Sequence, residues 1–84
     1  MYNLPSLNGL RAFECAARCG SFVLAGQELG VSSAAISLHV KSLEEHLGKR
    51  LFVRRGNRIS LTDAGEEMYP KLARAFGELA DAAQ

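Results

Sequence analysis

Apolar residues recur along the chain with two different periods, and the change of period divides it. Over residues 6–18, Leu7, Leu10, Phe13 and Ala17 return at three- and four-residue intervals, with Pro5 ahead and Gly20 behind. That spacing predicts a first helix whose stripe supplies core. Phe22, Ala25, Gly26 and Leu29 repeat the pattern, and Ile36, Val40, Leu43 and Leu47 repeat it once more. Ser21 and Ser32 stand where the N-caps of these two helices would fall, each hydroxyl able to accept from a free backbone N–H of the first turn. Gly30 stands between them at the C′ position, where glycine takes a left-handed conformation without a Cβ penalty. Residues 21–47 therefore predict two helices joined by a tight corner at Gly30-Val31, a helix-turn-helix layout.

After Gly48 the period shortens to two. Leu51 and Val53, then Ile59 and Leu61, bracket Gly56-Asn57 and predict a β-hairpin whose turn takes positive φ. Thr62 can cap a last helix running from Asp63 to the C-terminus, with Asp63, Glu66 and Glu67 at the positive end of its dipole. Ala64, Met68, Leu72, Phe76, Leu79 and Ala83 form its apolar stripe. One small domain is expected to cover only the start of that stripe, which leaves the remainder as an interface. Pro70 has no N–H to give to Glu66 and is expected to kink a continuous helix; the alternative makes it the N1 residue of a separate segment.

A chain of 84 residues has room for one modest core and no second domain or deep enclosed pocket. No apolar run reaches bilayer length, and the N-terminus lacks the basic start and apolar core of a signal peptide, so a cytoplasmic location is expected. The net charge of +1 conceals a division. In residues 1–40, Arg11 and Arg18 balance Glu14 and Glu28. Lys41, Lys49, Arg50, Arg54, Arg55 and Arg58 then outnumber Glu44 and Glu45, whereas Asp63, Glu66, Glu67, Glu78 and Asp81 outnumber Lys71 and Arg74. A basic block between a neutral head and an acidic tail suggests one face made for a polyanion. Arg54, Arg55 and Arg58 crowd around the hairpin turn and repel one another unless a partner supplies negative charge. Phosphate fits, since guanidinium grips its oxygens in two-pronged fashion and counterion release from DNA adds to affinity. A solvated turn carrying chance arginines is the alternative.

The third helix turns outward a face of Ala34, Ser37, Leu38 and Lys41 that is small and nearly uncharged, where a solvated face would carry Glu, Lys and Gln. Close approach to another surface would explain it. Ser33 and Ser37 could bond base edges, Ala34 and Leu38 could meet a thymine methyl, and Lys41 could reach phosphate or guanine. Docking of a protein through Leu38 explains the same face equally well. Catalysis has no constellation here: Cys15 and Cys19 lack a paired base and the carboxylates are spread along solvated faces, so no enzyme is expected. The two cysteines lie four apart with neither a Cys-x-x-Cys spacing nor a nearby partner in His39 or His46. They are read as packing residues, with no disulfide, no metal and no cofactor.

Leu10 and Phe13, Gly20-Ser21-Phe22, Ala25, Leu29, Val31-Ser32, Ala35-Ile36-Ser37, Leu43-Glu44, Leu47-Gly48, Leu51-Phe52, Arg54, Leu61-Thr62 and Ala64-Gly65 occur in an order and spacing that spans nearly the whole chain. In this the sequence resembles the N-terminal domain of LysR-type transcriptional regulators. The opening LPSLNGLRAFECAARCGSF, together with Pro70, is similar to the branch containing glycine-cleavage activators and β-lactamase regulators. The resemblance implies a mainly α fold, a winged helix-turn-helix with a short β-hairpin wing and a long C-terminal linker helix. Residues 1–62 would be the DNA-binding domain and residues 63–84 the linker and dimerisation helix, the effector-binding domain being absent from this chain.

The implied function is sequence-specific binding of double-stranded DNA at an operator with paired half-sites, without membrane attachment. The third helix would enter the major groove with Ser33, Ala34, Ser37, Leu38 and Lys41 facing the bases. Arg54, Arg55 and Arg58 would place the wing on the backbone or minor groove, and Ser21 and Ser32 would offer helix N-termini to phosphate. Loss of any one wing arginine is then expected to weaken binding on all DNA alike. A homodimer is implied through antiparallel last helices, with Met68, Leu72, Phe76, Leu79 and Ala83 at the interface and higher oligomers in a full-length protein. Many relatives carry glutamine where this chain has Ser33, and a basic or polar residue where it has Leu38. Specificity would therefore lean on thymine methyls, half-site spacing and DNA bending.

Overall fold

The computed structural model describes residues 3–56 and 58–84. Its elements are α1 (Leu7–Cys19), α2 (Phe22–Leu29), α3 (Ser33–Leu47), β1 (Phe52–Arg55), β2 (Arg58–Leu61) and α4 (Asp63–Ala82). Capping chemistry sets the boundaries. The Ser21 hydroxyl accepts from Leu24 N–H, Ser32 from Ala35 N–H and Thr62 from Gly65 N–H, each at 3.1 Å. Ser6 precedes α1 without a side-chain cap bond. Gly30 closes α2 at φ 73°, and its neighbour Val31 returns its N–H to the Gly26 carbonyl at 2.9 Å. Gly26 is needed for room, because a Cβ there would lie 2.6 Å from the Val31 carbonyl oxygen. The corner between α2 and α3 thus rests on one glycine for its dihedral and on another for its closeness.

Phe13, Cys15, Ile36 and Leu51 are the largest fully buried side chains, and Leu10, Ala12, Ala16, Ala25, Val40, Leu43 and Phe52 complete the core around them. Phe52 joins the wing to this core, its ring 5.4 Å from that of Phe13 and 5.6 Å, edge-on, from that of Phe22. The end of α3 is tied to the same place. Glu44 Oε2 accepts from Leu51 N–H at 2.7 Å and from Phe52 N–H at 3.3 Å. Thr62 closes the hairpin base, donating its hydroxyl to the Arg50 carbonyl at 2.6 Å and its N–H to the Leu51 carbonyl at 3.0 Å.

The strands pair antiparallel with Phe52 opposite Leu61, Val53 opposite Ser60, Arg54 opposite Ile59 and Arg55 opposite Arg58. This register corrects the strand expectation: Leu51 lies before β1, Phe52 takes the inward position and Val53 is exposed. The Gly56 half of the expected turn has φ 62°, whereas Asn57 lies outside the described residues. The α1 stripe is also displaced. Leu7 is exposed, Ala17 is half-buried, and the buried face runs through Gly9, Leu10, Ala12, Phe13, Cys15 and Ala16, since α1 is covered by α2, α3 and α4 and not from one side.

α4 is continuous through Pro70, as the helical reading expected, so no separate segment begins there. Its stripe is covered further than expected: Ala64, Met68, Tyr69, Leu72 and Phe76 all pack partly against the core, because α4 crosses α1 as well as β2. Leu79 and Ala83 remain exposed, Ala83 just beyond the last helical residue. No described helix is long and apolar enough to cross a membrane.

Candidate nucleic-acid interface

The outward side of α3 and the wing form one continuous surface. Ser33, Ala34, Leu38 and Lys41 are exposed along α3, Leu38 at 66%, while Ser37 is half-buried. Between α3 and the wing lies an open cleft of about 470 Å³ bordered by Phe22, Ser37, Lys41, Lys49, Arg50 and Arg54. Ser21 and Ser32 sit at the N-termini of α2 and α3 with their hydroxyls already spent on capping, and the other first-turn N–H groups have no partner within their helices.

Strand register separates the three arginines that the sequence groups together. Arg54 shares the inward face with Phe52, Ile59 and Leu61. Its guanidinium carbon lies 4.6 Å from the centre of the Phe22 ring and its Nη2 donates to Ser37 Oγ at 2.5 Å. Arg54 therefore links the wing to both helices of the helix-turn-helix. Arg55 and Arg58 are directly opposed across the hairpin and exposed. Like charges in that relation destabilise a strand pair, so the arrangement favours a bound anion.

No ion pair among the described residues engages Lys41, Lys49, Arg55 or Arg58, and Arg50 makes only a 3.7 Å contact with Glu44 while remaining exposed. The acidic residues of α4 lie on another element. Glu44 and Glu45 also border the cleft, Glu44 with its carboxylate turned to the Leu51 and Phe52 amides. The surface is therefore a nearly neutral strip of α3 flanked by an excess of cations, an arrangement that can hold a phosphate backbone.

On α4, Met68, Leu72 and Phe76 are half-buried and Leu79 is 60% exposed. The five interface candidates thus form a graded stripe, with its C-terminal part uncovered.

Sequence reasoning missed two local arrangements. One is the stacking of Arg54 on Phe22, whose signal is present only as an aromatic and a cation thirty-two positions apart. The other lies on the far side of α1. Arg18 Nε bonds Glu14 at 2.9 Å, Nη1 bonds Glu28 at 3.0 Å, and Nη2 also bonds Glu28. The Glu14–Arg18 spacing alone was legible as a one-turn helical pair. Hydrogen bonds from Arg18 foremost, then from Cys15, hold the Glu28 carboxyl down at about 2, and Glu28 in turn raises the Arg18 guanidinium.

The family pattern described as "Bacterial regulatory helix-turn-helix protein, lysR family" matches residues 7–66. The chain is 49% identical over 78 residues to the HTH-type transcriptional activator AmpR of Providencia stuartii, covering 93% of this chain and 26% of that protein. It is 44% identical over 79 residues to the glycine cleavage system transcriptional activator of Escherichia coli (strain K12), covering 94% of this chain and 26% of that protein. The chain thus spans about a quarter of the length of these curated relatives. Among solved structures, the CbnR_DBD-DNA complex superposes with a TM-score of 0.83 at 30% identity, covering 94% of this chain and 90% of that one. Corynebacterium glutamicum OxyR superposes with a TM-score of 0.87 at 28% identity, covering 99% of this chain and 26% of that one.

Proposed function

The chain belongs to the lysR family of bacterial regulatory helix-turn-helix proteins, and on that premise we propose that it is the sequence-specific DNA-binding module of a transcription regulator. The observation that carries this reading is the nearly neutral outward strip of α3 set beside Lys41, Lys49, Arg55 and Arg58, which no ion pair among the described residues engages. In the major groove, Ser33 and Ser37 address base edges and Ala34 and Leu38 contact thymine methyls. Lys41 reaches guanine or phosphate. Arg55 and Arg58 bind backbone phosphate beside the groove, which relieves their mutual repulsion. The first-turn amides behind Ser21 and Ser32 add phosphate contacts at the positive ends of two helix dipoles.

Residues 1–62 act as the DNA-binding unit and residues 63–84 as linker and dimerisation helix. Two copies joined through Met68, Leu72, Phe76, Leu79 and Ala83 set the distance between half-sites. Docking of a protein through Leu38 is less well supported, since the exposed residues beside it on α3 are Ser33, Ala34 and Lys41 and none is a large apolar side chain.

Salt titration tests the proposal. Binding of a duplex should fall steeply and linearly in log–log form, and Arg55→Ala should lower affinity on every duplex and shallow the slope by about one. Salt-independent binding, or an Arg55→Ala variant that changes only sequence preference, would overturn it.

A further inference from the structure

Cys15 and Cys19 lie one turn apart on α1, and the fold brings Glu28 of α2 against both. The two Sγ atoms are 4.0 Å apart, Cys15 Sγ is 3.3 Å from Glu28 Oε2, and Cys19 Sγ is 3.9 Å from Glu28 Oε1. One ligand atom from each residue falls within 4.8 Å of the others. Around a tetrahedral ion with metal–sulfur distances of about 2.3 Å and metal–oxygen distances of about 2.0 Å, ligand atoms stand roughly 3.5–3.8 Å apart. The sulfur pair lies close to that separation, and each thiol meets a Glu28 oxygen at a similar distance; because the two thiols meet different oxygens, the carboxyl must rotate to set one oxygen against both.

From this geometry we infer that Cys15, Cys19 and Glu28 form a site for one thiophilic divalent cation of the zinc and cadmium class, with water in the fourth position. The mix of burial suits the task. Cys15 is buried, Cys19 is half-buried and Glu28 is exposed, so two ligands are fixed by packing while the third side opens to solvent. Two thiolates and a carboxylate against a divalent ion leave one negative charge, and the Arg18 guanidinium, shared between Glu28 and Glu14, offsets part of it. Arg18 is also anchored to Glu14, so it stays in place when Glu28 turns one oxygen to the ion.

Without the ion, burial foremost and then the Glu28 hydrogen bond push the Cys15 thiol up to about 12, so it enters the reaction as a neutral thiol. Binding replaces two S–H bonds by two metal–thiolate bonds and releases two protons to the medium. No oxidant or reductant is involved. The bound ion would join α1 to α2 and so fasten the first helix of the helix-turn-helix to its support. This inference stands independently of the DNA-binding proposal.

Titration of the reduced, metal-free chain with Cd²⁺ tests it. The sulfur-to-cadmium charge-transfer absorption should saturate at one equivalent, with two protons released per ion, and the thermal midpoint should rise with added metal. Cys19→Ser should abolish the saturable band while circular dichroism remains native, and Glu28→Gln should raise the dissociation constant about tenfold or more. A His39→Ala/His46→Ala variant should keep the band, since imidazoles give no thiolate transition. An absent band, a band unchanged in Cys19→Ser, or an affinity unchanged in Glu28→Gln would overturn the site as composed. Cys15→Ser tests the buried ligand, with Cys19→Ser carrying the test if the former fails to fold.

Discussion

Arg54 differs from Arg55 and Arg58 by the direction its strand gives it. Charge alone predicts that losing any of the three weakens every duplex alike. Arg54, however, sits over the Phe22 ring and donates to Ser37, a residue of the proposed base-reading face. Arg54→Ala should therefore free the Ser37 hydroxyl and unseat the wing, changing the ratio of affinities between two operators as well as their absolute values. Arg54→Lys should behave similarly, because an ammonium keeps the charge but cannot sit over Phe22 and reach Ser37 in the way the broader guanidinium does. Competition binding with paired operators measures the ratio; an unchanged ratio in both variants would return Arg54 to the role of a plain phosphate contact. At Glu28, the carboxyl is held at about 2 in the folded chain against an ordinary 4.5, first by Arg18. A depressed folded value contributes stability that is present above the unfolded value and lost as pH falls toward the folded one. Urea unfolding should therefore show wild-type stability declining between pH 4.5 and about 2, with Glu28→Gln less stable at neutral pH and flatter across that window.

At the scale of elements, the corner between α2 and α3 fixes the angle at which α3 is presented. Gly26→Ala keeps the helix propensity of α2 favourable, and an isolated helix would gain from it. In the fold the new methyl meets the Val31 carbonyl, which must move. The expected result is a net loss of roughly 1–3 kcal/mol, the usual cost of overpacking, measured as a lower denaturation midpoint with an unchanged m-value. Wing placement depends on a different tether. Glu44 holds the amides of Leu51 and Phe52, so the end of α3 and the start of β1 move together. α3 and the wing are thereby coupled at two points, Glu44 and Ser37.

For the whole molecule, α4 is partly core and partly free. Its residues through Phe76 pack against the domain, whereas Leu79 stands 60% exposed. The proposed pairing of two copies should thus be sensitive at the free end without loss of the fold. Leu79→Gln is expected to shift sedimentation toward monomer and to weaken binding to a two-half-site operator, while leaving affinity for a single half-site nearly unchanged. An intact dimer for that variant would remove this part of α4 from the interface. The separation of charge also becomes structural at this scale: Lys41, Lys49, Arg50 and Arg54 border the α3–wing cleft together with Glu44 and Glu45, and the carboxylates of α4 stand on a separate helix.

The sequence by itself determined what depends on neighbours within one turn. Ser21, Ser32 and Thr62 cap the helices that their spacing announced, Gly30 turns the corner, and the helical order followed from apolar period alone. Tertiary structure decided what depends on which way a residue faces and on partners far along the chain. A strand register shifted by one residue exchanges its two faces, which is why Phe52 and not Val53 is buried and why Arg54 parts from Arg55 and Arg58. The reach of the core along α4 was set by its crossing of α1, which no local period records. Cys15 and Cys19 gained a carboxylate from Glu28 for the same reason: the packing of α2 on α1, not any spacing within α1, places it there.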